Sequence, residues 1–255
     1  MGRALELITA RATAPSTGAA FSAVTGDSLT IKAGKGVQLV HSWQTRQAAG
    51  YTRIISPMLH DGVVGIQQCG PIGQTLFAAV PEPLIGQDLL TVYGSGSATA
   101  GDMEFANLLV SYADLPGVDV KLLTPSQLRA RMVDRLAVPN TIATPTTGEY
   151  AEELVGSEAD QFKADTEYAI LGATVQVGGA AIRWRGPDTG GLGIGMPAKV
   201  GLERGADYFV WLSEITGLPL IPVIRSANKA STYIGSITDE VGADTVLCAN
   251  YARLR

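Results

Sequence analysis

The chain has 255 residues, 46% of them hydrophobic, enough to bury the core of one large domain or of two domains of about 120 residues each. Only 17% of its residues are charged, where about 25% is usual, and the net charge is -5 with no basic run, so a nucleic-acid-binding face is not expected. Protein interfaces are depleted of Lys, Glu and Asp, so the scarcity of charge favours a subunit buried in an assembly.

The first 27 residues are polar and rich in small side chains, and we expect them to form an N-terminal arm. They contain no hydrophobic segment of signal-peptide length, and no segment of the chain reaches the roughly 18 apolar residues of a membrane span. The expected compartment is therefore a cytoplasm, or a particle assembled in it.

Residues 28–122 form a series of short apolar runs separated by Gly, Pro, Asp or Ser. In the first run, SLTIKA, Leu29 and Ile31 alternate with polar residues, as in a half-buried strand. Short strands with turn signals about every 8 to 14 residues are typical of an all-β sandwich or barrel. We count eight candidate strands and predict a first β-sandwich, a jelly roll, over 28–122.

Residues 123–165 differ in texture and predict a helical linker. Thr124, Pro125 and Gln127 form a capping box with proline at the first helical position. Apolar residues then recur at every fourth position and predict a helix of three turns: Leu128, Met132 and Leu136. The acidic stretch over 149–165 is expected to be partly helical.

Short apolar runs return over 166–255 and predict a second β-sandwich with six or seven candidate strands, fewer than in the first. One helix interrupts them in the segment ADYFVWLSEITGLP. Its apolar face and stop signals are supplied by Phe209, Leu212, Ile215, Gly217 and Pro219.

Four short matches recur in the same order in both β segments, at offsets of roughly 128 to 139 residues. They are Arg-x-x-x-Pro at 53–57 and 183–187, Gly-x-x-Gly-Ile at 62–66 and 190–194, Pro-Leu-Ile at 83–85 and 219–221, and Tyr-Ala-x-Leu at 112–115 and 251–254. Each match is weak alone, but their common order indicates an internal duplication. We therefore predict two tandem copies of one sandwich.

Residues able to carry catalysis or bind a metal are few. The chain has two histidines, His41 and His60, and the second half has none, so a repeated metal site is excluded. A single site using both histidines with Asp61 is the remaining arrangement. No nucleophile elbow of the form Gly-x-Ser-x-Gly occurs in YGSGSATAG.

A glycine pattern in the second half resembles a dinucleotide-binding loop. Gly193, Gly195 and Ala198 satisfy Gly-x-Gly-x-x-Ala, but Pro197 interrupts the pattern and no alternation of strands and helices surrounds it. Tight packing within a barrel explains these glycines better. We expect no catalytic residue, no cofactor and no metal.

Three further groups of residues are assigned structural roles. The acidic pairs Glu152–Glu153 and Asp239–Glu240 are expected on solvated faces. The tryptophans, which could also form a sugar-binding platform, are expected in the core; they are Trp43, Trp184 and Trp211. The two cysteines, Cys69 and Cys248, belong to no metal or redox motif, and whether they form a disulfide stays open.

A duplicated β-sandwich with a helix-bearing linker, low charge and the helix ADYFVWLSEITG before its final strands resembles the double jelly-roll major capsid proteins of tailless bacteriophages. The compact corticovirus-like and finnlakevirus-like versions are nearest in length. The resemblance covers about residues 28–255, and the lower strand count of the second half departs from it.

The resemblance implies a structural protein of a virus-like shell, a homotrimer whose six barrels form one tile of an icosahedral capsid in a virion. Implied partners are further copies, other virion proteins and the inner membrane that this family commonly encloses, without sequence-specific binding of nucleic acid. The competing hypothesis is a β-sandwich binding module, such as a carbohydrate-binding or virion decoration protein. An enzyme is the least favoured of the three.

Overall fold

The computed structural model describes residues 2–13, 21–23, 25–26, 29–46, 51–59, 65–69, 75–95, 103–143, 148–155, 162–238 and 244–255. In these ranges the chain forms strands joined by turns, with two short α-helices and three 3-10 turns. None of the helices in this part of the chain is long and apolar enough to cross a membrane.

The first half contains the following strands: β1 Ala4–Thr13, β2 Phe21–Ala23, β3 Thr25–Gly26, β4 Leu29–Thr30, β5 Lys35–Arg46, β6 Tyr51–Ile55, β7 Ile66–Cys69, β8 Thr75–Pro83, β9 Leu89–Ser95, β10 Met103–Asp114 and β11 Leu122–Leu123. The remainder contains these elements: α1 Pro125–Arg131, β12 Met132–Ile142, β13 Ala151–Leu154, β14 Glu167–Val177, β15 Ala181–Arg185, β16 Ile194–Pro197, α2 Tyr208–Thr216, β17 Ile221–Arg225, β18 Tyr233–Ile237 and β19 Thr245–Leu254.

The strands pair antiparallel in four sheets, which we number I to IV. Sheet I has the order β2-β9-β6-β7, with β4 also pairing with β9, and sheet II has the order β3-β1-β10-β5-β8. Sheet III has the order β13-β18-β15-β16, and sheet IV has the order β11-β17-β14-β19-β12. Buried hydrophobic residues from all four sheets belong to one hydrophobic cluster.

The two halves share the same strand order. Eight strands of the first half (β1, β2 and β5 to β10) are arranged 1-8-3-6 in sheet II and 2-7-4-5 in sheet I. The eight strands β12 to β19 repeat both orders in sheets IV and III. This is the jelly-roll arrangement of two four-stranded sheets. The predicted all-β fold with two duplicated jelly rolls is confirmed; we call residues 4–114 roll one and residues 132–254 roll two.

The prediction of an N-terminal arm over residues 1–27 is wrong for the described part of that segment. Strand β1 pairs with β10 over its whole length, from Ala4 opposite Tyr112 to Thr13 opposite Met103. Within β1, Ala4, Leu5 and Leu7 are buried although successive side chains point to opposite faces of sheet II, so both faces of the strand are covered. A strand covered on both faces lacks the polar and apolar alternation by which half-buried strands are identified.

The prediction of a helical linker over residues 123–165 is also wrong for most of its length. The capping box is present, with Thr124 Oγ1 accepting from the Gln127 amide at 3.2 Å. The helix α1 ends at Arg131, however, and the chain continues as β12 beside β19. Strand β13 pairs with β18 where partial helix was expected. These are the first two strands of roll two, so the strands missing from the predicted second sandwich lay in the predicted linker.

Helix α2 is where the sequence predicted a helix. Phe209 and Leu212 are buried, and the helix ends at Gly217, whose φ of 71° is the left-handed conformation that glycine adopts without strain. The 3-10 turn before α2 packs closely against β14 at Gly172. A Cβ on Gly172 would lie 2.2 Å from the carbonyl oxygen of Gly205 in that turn. Roll two thus carries α2 just before β17.

Three of the four repeated matches fall on equivalent strands. Arg53 and Arg183 lie on β6 and β15, Ile66 and Ile194 on β7 and β16, and the buried Tyr112 and Tyr251 on β10 and β19. The Pro-Leu-Ile match falls on non-equivalent positions, because it begins at the last residue of β8 but ends at the first residue of β17.

Candidate functional site

The junction between the two rolls is formed on the outer face of sheet II, the face turned away from sheet I. Cross-strand rows on this face join β1, β10 and β5: Leu7–Leu109–His41, Thr9–Asn107–Trp43 and Arg11–Phe105–Thr45. All of these residues are buried except Thr9, which is half-buried, and Arg11, which is exposed. Roll two covers this face through β16, Ala180 and α2, so the central strands of sheet II are buried on both sides.

Trp43 anchors the junction. Its side chain is 1% exposed, and its indole Nε1 donates to the carbonyl oxygen of Ala180, which precedes β15, at 2.9 Å. Thr45 reaches the same carbonyl at 3.5 Å. A buried tryptophan normally finds a partner for its indole N–H, and here that partner belongs to the other roll.

His41 and Tyr208 form a second buried contact across the junction. His41 Nδ1 and the Tyr208 hydroxyl share a hydrogen bond, and the His41 ring lies 5.1 Å from that of Trp43. Burial lowers the pKa of His41 to about 3 and raises the pKa of Tyr208 well above its usual value. Both groups are therefore neutral at pH 7 and serve as packing and hydrogen-bonding groups.

Glycines of β16 allow close approach of the rolls. A Cβ at Gly195 would lie 2.3 Å from Leu7 Cδ2 and 2.4 Å from the carbonyl oxygen of Ile182. The neighbouring Gly193 accepts a hydrogen bond from the Leu7 amide at 2.6 Å through its carbonyl oxygen. These glycines of the Gly-x-Gly-x-x-Ala pattern pack as expected, but they pack between the two rolls and not within one barrel.

A charged cluster lies beside this contact on the outer face of sheet III. Glu152 binds Arg183 at 2.8 Å and Arg185 at 2.7 Å, and the Arg183 guanidinium stacks 3.6 Å from the centroid of the Tyr150 ring. Burial raises the pKa of Glu152, but hydrogen bonds and charge from both arginines outweigh it and hold the pKa below its usual value. Glu152 was expected on a solvated face; it is half-buried there and held by two cations.

A cleft of about 440 Å³ opens between this cluster and β1. Its walls come from both rolls and include Thr9, Arg11, Gly148, Tyr150 and Arg183. The Tyr150 hydroxyl and Thr9 Oγ1 share a hydrogen bond of 3.0 Å, and Arg11 donates to the carbonyl oxygen of Gly148 at 2.8 Å. The polar groups of the cleft are thus engaged in holding the rolls together.

Of the residues considered for a metal site, only His41 lies in the part of the chain that the structure describes. Among the residues that the structure describes, no group of three or more His, Cys, Asp or Glu side chains could hold a metal ion. His60, Asp61 and the pair Asp239–Glu240 lie outside the described residues.

The aromatic residues and cysteines are also accounted for where they are described. Trp43 and Trp184 are buried and Trp211 is half-buried, so they do not form an exposed sugar-binding platform. Cys248 is a free, half-buried thiol on β19, whereas Cys69 belongs to β7 of sheet I.

Comparisons with known proteins identify no family for this chain. No protein-family model and no curated protein sequence matches it. Among solved structures it is similar to the PBSX exported protein XepA, at 12% identity over 98% of this chain and 86% of that chain, with a TM-score of 0.28. Because such a TM-score does not establish a shared fold, the function has to be argued from the surfaces of this chain.

Sequence reasoning did not find the junction, although two of its signals were visible. Arg183 belongs to a repeated motif, and Gly195 to a glycine pattern too dense for an ordinary turn. Both residues lie on the outer face of sheet III, where β1 of roll one packs closely against β16. Trp43 and His41 gave no such signal, since a strand packed against another roll resembles a strand in any core.

Proposed function

We propose that this chain is the structural subunit of a virus-type protein shell, assembling as homotrimers into an icosahedral capsid in a virion. The observation that carries the proposal is the union of two jelly rolls of identical strand order through a largely buried sheet face. Such a union makes one block with two similar units, and three such blocks around an axis would present six similar units.

The use of the reactive side chains supports a structural role. His41 and Tyr208 are neutral and buried, and Glu152 is held by two arginines. His41 and Tyr208 join the two rolls and Glu152 forms ion pairs within roll two, whereas a general acid or base would need access to a substrate. The low charged fraction of 17% supports further contacts between copies.

The test is the state of the purified protein in solution. Light scattering at several concentrations and negative-stain microscopy are expected to show trimers or closed particles. A monomer that stays monomeric at all concentrations and binds glycans on an array would overturn the proposal and favour the carbohydrate-binding module.

A further inference from the structure

The cleft between β1 and the charged cluster of sheet III is large enough to hold a small molecule. Its volume of about 440 Å³ lies in the range of roughly 300–1,000 Å³ that is usual for ligand sites. Two of its lining residues, Leu7 and Ile237, are apolar and buried, and polar side chains complete the walls. Because the walls belong to different rolls, a molecule bound in the cleft would contact both of them.

Each roll contributes one arginine to the lining of this cleft. Arg11 comes from β1 of roll one, and Arg183 comes from β15 of roll two. Arg11 is exposed and donates to the carbonyl oxygen of Gly148 at 2.8 Å, which holds its guanidinium against the other roll. Glu149, which is exposed, is the one acidic residue among the described lining residues. The described lining therefore carries a net positive charge.

The guanidinium of Arg183 is held in position and retains donors for a second acceptor. Glu152 Oε1 accepts hydrogen bonds from its Nε at 3.3 Å and from its Nη2 at 2.8 Å. The ring of Tyr150 lies against the guanidinium plane, 3.6 Å from Cζ to the ring centroid. A guanidinium has five N–H donors, so these contacts fix its plane without using all of its donors. A donor that is already held in place loses less conformational freedom when a ligand binds.

A chain of hydrogen bonds behind the cleft also ends in a donor. Tyr150 Oη and Thr9 Oγ1 lie 3.0 Å apart, and Thr9 Oγ1 donates to Asn107 Oδ1 at 2.9 Å, so the tyrosine hydroxyl donates to the threonine. Asn107 is fully buried, and its Nδ2 has no hydrogen-bond partner among the described residues. The arginines and this amide thus provide more donors than acceptors. A ligand that suits such a site supplies acceptor oxygens.

We propose that this cleft binds a small oxyanion, a phosphate or a carboxylate, between Arg11 of roll one and Arg183 of roll two. Guanidinium groups bind both kinds of oxyanion through paired, charge-assisted hydrogen bonds. An ion held by both arginines bridges the rolls, and because it binds only the folded chain, it stabilises that chain. The inference goes beyond the proposed function and does not depend on it.

The first experiment measures binding of two simple oxyanions to the full chain at pH 7. Thermal unfolding is followed in increasing sodium phosphate or sodium acetate, against sodium chloride at the same ionic strength. The melting temperature is expected to rise with the logarithm of the concentration of the ion that binds, and titration calorimetry is expected to give a Kd below about 1 mM. A response to one ion and not the other identifies the ligand as a phosphate or a carboxylate.

The second experiment locates the site with matched variants. Arg11→Gln removes the cation of roll one and is expected to weaken binding at least about 10-fold, because a hydrogen bond to a charged group is lost. Arg185→Gln is the control, since Arg185 also pairs with Glu152 but does not line the cleft. It is expected to bind the ion as the wild type does. Arg11→Lys retains the charge without the paired donors and is expected to have an intermediate affinity.

Three results would overturn this inference: neither ion raises the melting temperature above that in chloride, Arg11→Gln binds as tightly as the wild type, or the two glutamine variants lose the same affinity. The last result would indicate a general effect of surface charge. Because light scattering tests assembly separately, none of these results bears on the proposed function.

Discussion

The outer faces of sheets II and IV occupy equivalent places in the two rolls but differ in size and exposure of their side chains. Sheet II presents Leu7, His41, Trp43 and Phe105, all buried beneath roll two. Sheet IV presents small uncharged residues such as Ala137 and Thr141, which are exposed. Duplication preserved the order of strands, while the side chains on one face were adapted to a permanent contact. The difference shows that the junction depends on a few large residues and on glycines opposite them.

The largest expected effect comes from removing the anchor of the junction. Trp43→Ala deletes the indole and its bond to Ala180, and we expect the free energy of unfolding to fall by about 3–5 kcal/mol. Because the lost contacts join the rolls, chemical denaturation followed by fluorescence should also become less cooperative and separate into two transitions. The control is Trp184→Ala, which removes a buried tryptophan bonded to Tyr251 within roll two. A single transition with an unchanged midpoint in Trp43→Ala would contradict the role assigned to the junction.

Close approach of the rolls is tested by adding one methyl group. Gly195→Ala is expected to destabilise the protein by about 1–3 kcal/mol, because the new Cβ overlaps Leu7 and a backbone carbonyl oxygen. In the matched variant Gly193→Ala the nearest atom is Arg183 Cδ at 2.9 Å, part of a flexible side chain that can move. Thermal unfolding of the two variants measures the difference, and equal melting temperatures would count against tight packing at Gly195.

The neutral state of His41 predicts a dependence of stability on pH. Its pKa is about 3 in the folded protein and about 6.5 when unfolded, so below pH 6.5 the unfolded chain binds a proton that the folded chain does not. Stability is therefore lost as the pH falls from about 6.5 towards 3, by up to about 1.4 kcal/mol per pH unit. Urea denaturation between pH 7 and pH 5 should show this loss in the wild type and a smaller one in His41→Gln. Parallel pH profiles would show that His41 is not buried as described.

The smallest effect is expected at the charged cluster of sheet III. Glu152→Gln removes the carboxylate that joins Arg183 and Arg185, and we expect a loss below about 1 kcal/mol because the cluster is partly exposed. Since the folded pKa of Glu152 is lowered, its contribution is present above its unfolded pKa and is lost as the pH falls through its folded pKa. The gap between wild type and variant should thus be wider at pH 7 than at pH 3, as denaturant titrations at both values would show. A gap that widens in acid would rule out the ion pairs.

Strands bounded by turn residues were accessible to sequence reasoning, whereas β1 and β12 were not. The runs of 28–122 were identified through their turn residues, and α2 through its apolar face and Gly217. Strand β1 was assigned to an arm because burial on both faces leaves no alternation along ALELITARAT. Strand β12 was assigned to a helix because Leu128, Met132 and Leu136 happen to recur at helical spacing. Pairing of ten residues of β12 with β19 outweighed that local preference.

For the candidate site, the sequence showed the residue types but not where they meet. His41, Trp43, Gly195 and Glu152 were all noticed as residue types, but each was assigned to an isolated role. Their common location follows from the stacking of one roll on the other, which joins β5 to a turn 137 positions away in the chain, as in the bond from Trp43 to Ala180. Local patterns contain no information about such a contact.

By itself the sequence determined the all-β class, the duplication and the scarcity of charge, because turn residues, repeated motifs and composition are local or additive properties. Only the tertiary structure decided where each roll begins, which face of sheet II is buried and which side chains of sheet IV stay exposed. The physical reason is that the pairing of distant strands and the packing of one sheet on another depend on which residues meet, and a strand's own residues do not specify its neighbour.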